Sequence, residues 1–180
     1  MSATTLTTIQ LEDLIEQCAI ESAVGLFLSY SVCLECADET QSEIIPDLEL
    51  CGIVGFLGRR ISGTLLLATT PEPLKTSNRV AARQRDWMAE LSNQLFGRIK
   101  NRLFRRGLQL VGTPPAVIGG DHLVAFTGRS QCQPIVLCSP NGGRVCVWMD
   151  YAVNDGLPFA LSDQDIENAP VPHEGDILLF

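Results

Sequence analysis

The residues of this sequence best suited to chemistry are Glu90 and Asn93, with Gly97 one turn further on. On a helix, at about 100° per residue, the three positions share one face, which brings a carboxylate and a carboxamide together one turn apart. A carboxylate can take up a proton or pair with a cation, and a carboxamide can accept one hydrogen bond and donate another without titrating. Glycine leaves room for another molecule to come close. This face is either a functional site or an ordinary solvated surface.

The three residues belong to a segment, Ser77 to Gly107, that is predicted to form one long helix ended by its last glycine. When Trp87 is taken as 0° around the helix axis, Glu90, Asn93 and Gly97 project at about 300°, 240° and 280°. They lie opposite an apolar stripe centred near 100°. The members of this stripe recur at helical spacing and are Trp87, Met88, Leu91, Leu95, Ile99 and Leu103. Candidate N-terminal caps are Thr76, Ser77 and Asn78.

The order of motifs around this helix resembles that of a known family. Glu90-Leu-Ser-Asn93 followed by Gly97 matches the E-x-x-N-x-x-x-G helix of the CheC/CheX/FliY phosphatases of bacterial chemotaxis. Pro115-Ala-Val-Ile-Gly-Gly120 matches the P-x-V-I-x-G strand that follows it, and residues 55–58 and 61–67 resemble the paired strands before it. The resemblance covers roughly residues 10 to 150. With one motif and a single-domain length, the chain is most similar to the CheX branch.

The resemblance implies a partner and a reaction. The partner is a phosphorylated CheY-type response regulator, whose aspartyl phosphate carries a divalent ion, expected to be Mg²⁺. Such a group already has a good leaving oxygen and a metal, so hydrolysis mainly needs a water held in line with the phosphorus. The resemblance therefore implies that Asn93 positions this water and that Glu90 pairs with the regulator's active-site lysine. General-base catalysis by Glu90 is a less favoured alternative. Asp86 and Gly97 are assigned to partner contact, and no cofactor or metal of the chain's own is predicted.

The other segments predict a first helix and a sheet. Leu6 to about Leu26 has helical apolar spacing but no second E-x-x-N motif, so we expect a structural helix. Strands are predicted at Phe27–Glu35, Leu50–Leu57, Arg60–Ala68, Leu108–Gly112, Ala116–Ile118, Leu123–Phe126, Pro134–Cys138 and Val145–Met149. Turns are predicted at Gly58-Arg59, Gly119-Gly120-Asp121 and Pro140 to Gly143, and a charged loop at Asp38 to Asp47. The expected fold is α+β, an antiparallel sheet with both long helices packed on one face in a pseudo-two-fold helix, strands, helix, strands arrangement.

The resemblance implies a CheX-like phosphatase domain, residues 1–152, and a change in composition separates it from a tail, residues 153–180. The tail contains acidic residues and prolines but no lysine or arginine, which predicts a flexible acidic segment. Short strands leave sheet edges to cover, and the family pairs its chains. We therefore expect a homodimer formed through sheet edges or helix faces.

Composition also bears on location and on the thiols. The sequence has no apolar run that could span a bilayer and no export signal, so a cytoplasmic protein without membrane contact is expected. Seven cysteines in such a chain predict reduced thiols. The Cys33-Leu-Glu-Cys36 pair has the spacing of a metal or redox motif, but we favour packing in the core.

Two other functions remain open. The arginines and lysine between Arg83 and Arg106 could bind nucleic acid, although a pI near 4.7 and the net charge of −8 argue against this interpretation. The same basic segment could instead steer an acidic or phosphorylated protein toward the helix. The second alternative is a non-catalytic adaptor that binds a response regulator or a component of the flagellar switch.

Overall fold

The fold consists of one large antiparallel sheet and two long helices. The computed structural model describes residues 4–5, 8–37, 48–77, 84–123, 132–153 and 160–161. The helices are α1 (Thr8–Ser29), α2 (Pro71–Ser77) and α3 (Gln84–Phe104). The strands are β1 (Thr4–Thr5), β2 (Glu35–Cys36), β3 (Leu48–Gly58), β4 (Ile61–Thr69), β5 (Leu110–Gly112), β6 (Ala116–Leu123), β7 (Ile135–Cys138), β8 (Arg144–Val153) and β9 (Ala160–Leu161).

The large sheet has the strand order β2-β7-β8-β4-β3-β5, and β6 also pairs with β3. All of these pairings are antiparallel. The predicted hairpin is confirmed as β3 and β4, although its turn lies at Arg59 and Arg60, one residue later than expected. A second, two-stranded sheet joins β1 to β9.

Both long helices pack on the same face of the large sheet. Side chains alternate between the two faces along a strand, so Leu50 and Val54 of β3 join the buried stripes of α1 and α3. A smaller buried cluster lies on the other face and contains Leu48, Cys51, Ala68, Val136, Cys146 and Trp148. The predicted α+β arrangement with both helices on one face is therefore confirmed, whereas its pseudo-two-fold symmetry stays a prediction.

The predicted stripe of the long helix is confirmed. Its members from Met88 to Leu103 are fully buried, and Trp87 at the edge is half-buried. The helix ends as expected, because Gly107 adopts the left-handed conformation with φ of 77°. Its expected start was wrong in part, since Thr76 and Ser77 belong to the separate helix α2 and do not cap α3. Asn78 and the rest of 78–83, including Arg83, lie outside the described residues.

The strand predicted at Phe27–Glu35 was wrong. Helix α1 continues to Ser29 because Leu26 and Phe27 extend its buried face into the core. The chain then turns at Ser31, whose φ is 64°, and the backbone N–H of Val32 donates to the carbonyl of Phe27 at 3.0 Å. Within the predicted segment, Glu35 pairs with β7, as does Cys36 just after it. The alternation of apolar residues over this short stretch favoured a strand, but burial of the last helical turn stabilises the helix more.

The turn predicted at Gly119-Gly120-Asp121 was also wrong. Strand β6 continues through it, with Gly119 opposite Leu50 and Leu123 opposite Leu48. Three residues therefore face the single residue Glu49, which makes an irregularity in the ladder in place of a turn. The remainder of the strand predicted at Leu123–Phe126, like the loop at Asp38–Asp47, lies outside the described residues.

The predicted boundary between domain and tail falls at a strand end. Val153 is the last residue of β8, so a division after residue 152 cuts this strand by one residue. Ala160 and Leu161 pair with Thr5 and Thr4. The rest of 154–180 lies outside the described residues, and its flexibility stays a prediction.

The cysteines are all free thiols, but they differ in exposure. Cys33 and Cys36 are exposed, so the prediction that this pair packs in the core was wrong. The reason is local: with α1 running to Ser29, Cys33 falls on the segment that leads to the edge strand β2, and Cys36 lies in that strand. Cys51 and Cys146 are buried in the cluster on the far face of the sheet.

Burial makes the contribution of Cys51 and Cys146 to folding stability depend on pH. It raises the pKa of Cys51 from 9.0 to about 11 and that of Cys146 to about 12. Both groups bind their protons more tightly in the folded state, so their contribution to stability is complete below pH 9 and is lost as the pH rises toward 11 and 12. We expect the melting temperature to fall over this range, and to fall less steeply in Cys51→Ala and Cys146→Ala. Cys33→Ala is the control and should keep the wild-type slope; equal slopes in all variants would contradict the assignment.

Candidate functional site

The candidate site is the side of α3 that faces away from the sheet. Asp86, Glu90 and Asn93 are exposed there, and Gly97 is half-buried. The four positions lie within about 60° of one another around the helix axis. The structure therefore brings the residues selected from the sequence onto one accessible strip of about three turns.

This strip is positioned by close packing beneath the helix. Ser92, next to Asn93, is fully buried and donates its hydroxyl to the Met88 carbonyl at 2.7 Å. It faces Gly52 of β3, and a side-chain carbon at that glycine would overlap the Ser92 hydroxyl. One turn later, Gly112 of β5 leaves room in the same way for the ring of Phe96. Two glycines of the sheet thus let α3 lie close to it.

The Glu90 carboxylate is held by a hydrogen-bonded chain. Gln94 donates its Nε2 to Oε1 of Glu90 at 2.6 Å, across one helical turn. Oε1 of Gln94 accepts a hydrogen bond from the hydroxyl of Tyr30 at 2.9 Å. Tyr30 lies just beyond the end of α1, so the chain connects the two long helices.

Tyr30 is itself fixed by an aromatic contact. Its ring meets that of Trp87 edge to face, with centroids 5.0 Å apart and an interplanar angle of 84°. The indole Nε1 of Trp87 donates to the Ser77 hydroxyl at 2.9 Å, and that hydroxyl donates to the Leu74 carbonyl at 3.0 Å. Helix α2 thereby supports the aromatic pair.

Asn93 differs from Glu90 in its surroundings. Within the ranges that the structure describes, no hydrogen bond involves the Asn93 side chain. Its amide has two donor hydrogens and an acceptor oxygen, all directed to an exposed surface. The arrangement can hold a water molecule and contact a second oxygen at the same time.

Charge is distributed unevenly along α3. Asp86 lies in the first turn, where a carboxylate is favourable to the helix dipole. Toward the other end, Arg102 forms an ion pair with Glu21 of α1. Both partners are nearly half exposed, so this pair adds little stability but marks the antiparallel contact of the helices. Asp86 therefore lies at the N-terminal end of the site, and the paired Arg102 lies beyond its C-terminal end.

The described residues contain no cluster of metal ligands and no membrane-spanning helix. Across the described ranges, no three histidine, cysteine, aspartate or glutamate side chains cluster as metal ligands would. Among the described helices, none is long and apolar enough to cross a membrane.

Known proteins of solved structure resemble this chain in fold. No protein-family model matches the sequence, and no curated protein does. Solved structures do match. The chemotaxis protein CheX from Vibrio vulnificus is similar over 77% of this chain and 99% of its own, with a TM-score of 0.64 and 14% identity.

This chain has the fold of the CheC/CheX proteins. The CheX-CheY-BeF3-Mg²⁺ complex from Borrelia burgdorferi contains a chain that is similar over 74% of this one and 97% of its own, with a TM-score of 0.50 and 17% identity. The middle domain of FliM from H. pylori is similar over 81% and 93%, with a TM-score of 0.50 and 10% identity. The CheX fold implied by the sequence motifs is thus confirmed. At these levels of sequence identity, the similarity shows the fold alone.

The structure adds two residues that the sequence interpretation missed. Gln94 could have been found, because it lies four positions after Glu90, the spacing of a helical side-chain pair. Tyr30 had no such signal, since it is 64 residues away from Gln94 and had been placed in a strand.

Proposed function

We propose that this protein is a phosphatase that hydrolyses the aspartyl phosphate of a CheY-type response regulator. The observation that carries the proposal is the pairing of an oriented carboxylate, Glu90, with an exposed carboxamide, Asn93, on the outer face of α3 in a CheX fold. The CheX of Borrelia burgdorferi was solved as a complex with CheY, BeF3 and Mg²⁺, which supports the choice of partner.

In the proposed reaction, Asn93 positions the attacking water. Its amide oxygen accepts a hydrogen bond from the water, while its N–H₂ group donates to a phosphoryl oxygen. The acyl phosphate supplies a good leaving group, and the Mg²⁺ expected on the regulator neutralises charge, so an oriented water is the missing part. Glu90 pairs with the regulator's active-site lysine and sets the register of the complex. Asp86 and Gly97 contact the regulator on either side.

The test is phosphate release from a phosphorylated regulator with and without this protein. The proposal predicts faster release that saturates as the regulator concentration rises. An unchanged rate, together with binding to a regulator carrying beryllium fluoride and Mg²⁺, would overturn the phosphatase and support a binding module.

That binding module is the second candidate. The similarity to the FliM middle domain favours it, because this fold also occurs in a flagellar switch component. An adaptor would bind the regulator without changing the lifetime of its phosphate. The homodimer expected from the sequence is compatible with either proposal. Measurement of the molecular mass in solution tests it.

Gly97→Ala should separate stability from partner binding. Apart from its chain neighbours and its own helix backbone, a side-chain carbon at this position would meet none of the described atoms within 4 Å. Alanine in a helix interior is favoured over glycine by about 1 kcal/mol. We therefore expect a higher melting temperature. If the regulator approaches the helix backbone here, the added methyl group should also weaken its binding, measured by titration with the beryllium fluoride form. Improved stability with unchanged affinity would remove Gly97 from the interface.

A further inference from the structure

The hydrogen-bonded chain that ends on Glu90 has a defined direction. Oε1 of Gln94 accepts from the Tyr30 hydroxyl at 2.9 Å, and its Nε2 donates to the Glu90 carboxylate at 2.6 Å. The reverse amide orientation would place the Gln94 oxygen against the carboxylate, where neither group can donate. The carboxylate therefore determines which way the amide points. The Tyr30 hydroxyl holds the amide oxygen in this orientation, and the amide in turn restrains the carboxylate.

The Tyr30 end of this hydrogen-bonded chain is held by more contacts than the Glu90 end. The Tyr30 ring packs against Trp87, which donates a hydrogen bond to Ser77 of α2. The backbone at Tyr30 is fixed as well, because its N–H donates to the carbonyl of Phe27 at 3.0 Å. Glu90, by contrast, is exposed on its helix. A long side chain of this kind samples several rotamers unless a neighbour holds it, and ordering it on binding lowers affinity.

We infer that Gln94 and Tyr30 are positioning residues that pre-organise the Glu90 carboxylate for the cationic group of the partner. This inference rests on the proposed function and deepens it, since it assigns partner affinity to residues outside the E-x-x-N motif. Removing Gln94 should raise KM for the phosphorylated regulator by roughly two- to ten-fold, the effect of ordering one flexible side chain. kcat should stay unchanged, because the Glu90 carboxylate is still present in this variant and is ordered once the complex has formed.

The experiment compares wild type with Gln94→Ala and Tyr30→Phe in hydrolysis of the phosphorylated regulator and in binding of its beryllium fluoride form. Tyr30→Phe keeps the ring against Trp87 and removes only the hydroxyl, so its effect should be smaller and in the same direction. Gln17→Ala is the matched control. Gln17 donates Nε2 to Oε1 of Glu21 at 3.1 Å, the same exposed bond across one turn, on α1. This control should leave KM and affinity at the wild-type values.

A double-mutant cycle separates positioning from a merely structural role. In a Glu90→Ala background, Gln94→Ala should have no further effect on KM or affinity, because no carboxylate remains to be held. Persistence of the effect in that background, or a wild-type KM in Gln94→Ala, would overturn the inference.

Failure of the proposed function gives a different result. If the wild type binds the beryllium fluoride form but does not hydrolyse the phosphate, the phosphatase fails, and the affinities still decide the role of Gln94. If the wild type does neither, both proposals fail, because the inference assigns Gln94 to recognition of that partner.

Discussion

Asn93→Ala should reduce the acceleration of aspartyl-phosphate hydrolysis by about a hundred-fold or more, the usual effect of losing one aligned transition-state hydrogen-bonding group. Binding of the regulator should survive, because the contact to the water and the phosphoryl oxygen is made mainly in the transition state. The measurement is phosphate release over a range of regulator concentrations, with affinity for the beryllium fluoride form measured in parallel. We expect kcat to fall and the affinity to stay near wild type.

Two variants on the same helix serve as comparisons. Asn101→Ala makes the same substitution two turns beyond Asn93 and should keep full activity. Glu90→Ala should lower both affinity and turnover, since the charge pair proposed for it forms on binding and is desolvated in the complex. Asn93 and Glu90 are both exposed, so neither substitution should shift the free energy of unfolding by more than about 0.5 kcal/mol. Full phosphatase activity in Asn93→Ala would disprove the proposed mechanism.

Gly52→Ala should strongly destabilise the packing beneath the site. The new methyl group would overlap the buried hydroxyl of Ser92, so α3 must move away from β3. Overpacking of a core costs about 1–3 kcal/mol and occasionally more, which in a chain of this length corresponds to roughly 2–4 °C in melting temperature per kcal/mol. We expect a clear loss of thermal stability, measured by calorimetry. Hydrolysis should also fall in the folded fraction, because Asn93 follows Ser92 directly.

Controls identify the cause of that loss. Gly55→Ala, in the same strand, would contact Thr113 at 3.3 Å, a tight approach to an exposed side chain, and should cost much less. Ser92→Ala removes the overlapping oxygen, so the double variant Gly52→Ala/Ser92→Ala should regain part of the lost stability. A melting temperature of Gly52→Ala equal to that of wild type would show that α3 does not depend on this close approach.

Local sequence patterns were enough to predict the long helix and the side of it that faces solvent. Helical periodicity is a local property, and the buried residues from Met88 to Leu103 bear out the predicted stripe. The end at Gly107 followed from the preference of glycine for positive φ. The hairpin of β3 and β4 followed from apolar runs on either side of a short turn. Each of these features depends on residues that are near one another in the chain.

The way in which the two helices meet and Glu90 is held depends on tertiary packing and could not be predicted from local patterns. The C-terminal end of α1 was predicted too early because burial of Leu26 and Phe27 in a core assembled from distant strands stabilises the last turn. The same extension places Tyr30 beside Trp87 and Gln94, a contact between residues more than 50 positions apart. Sequence periodicity describes one element at a time, whereas contacts of this kind arise from the packing of elements that are distant in the chain.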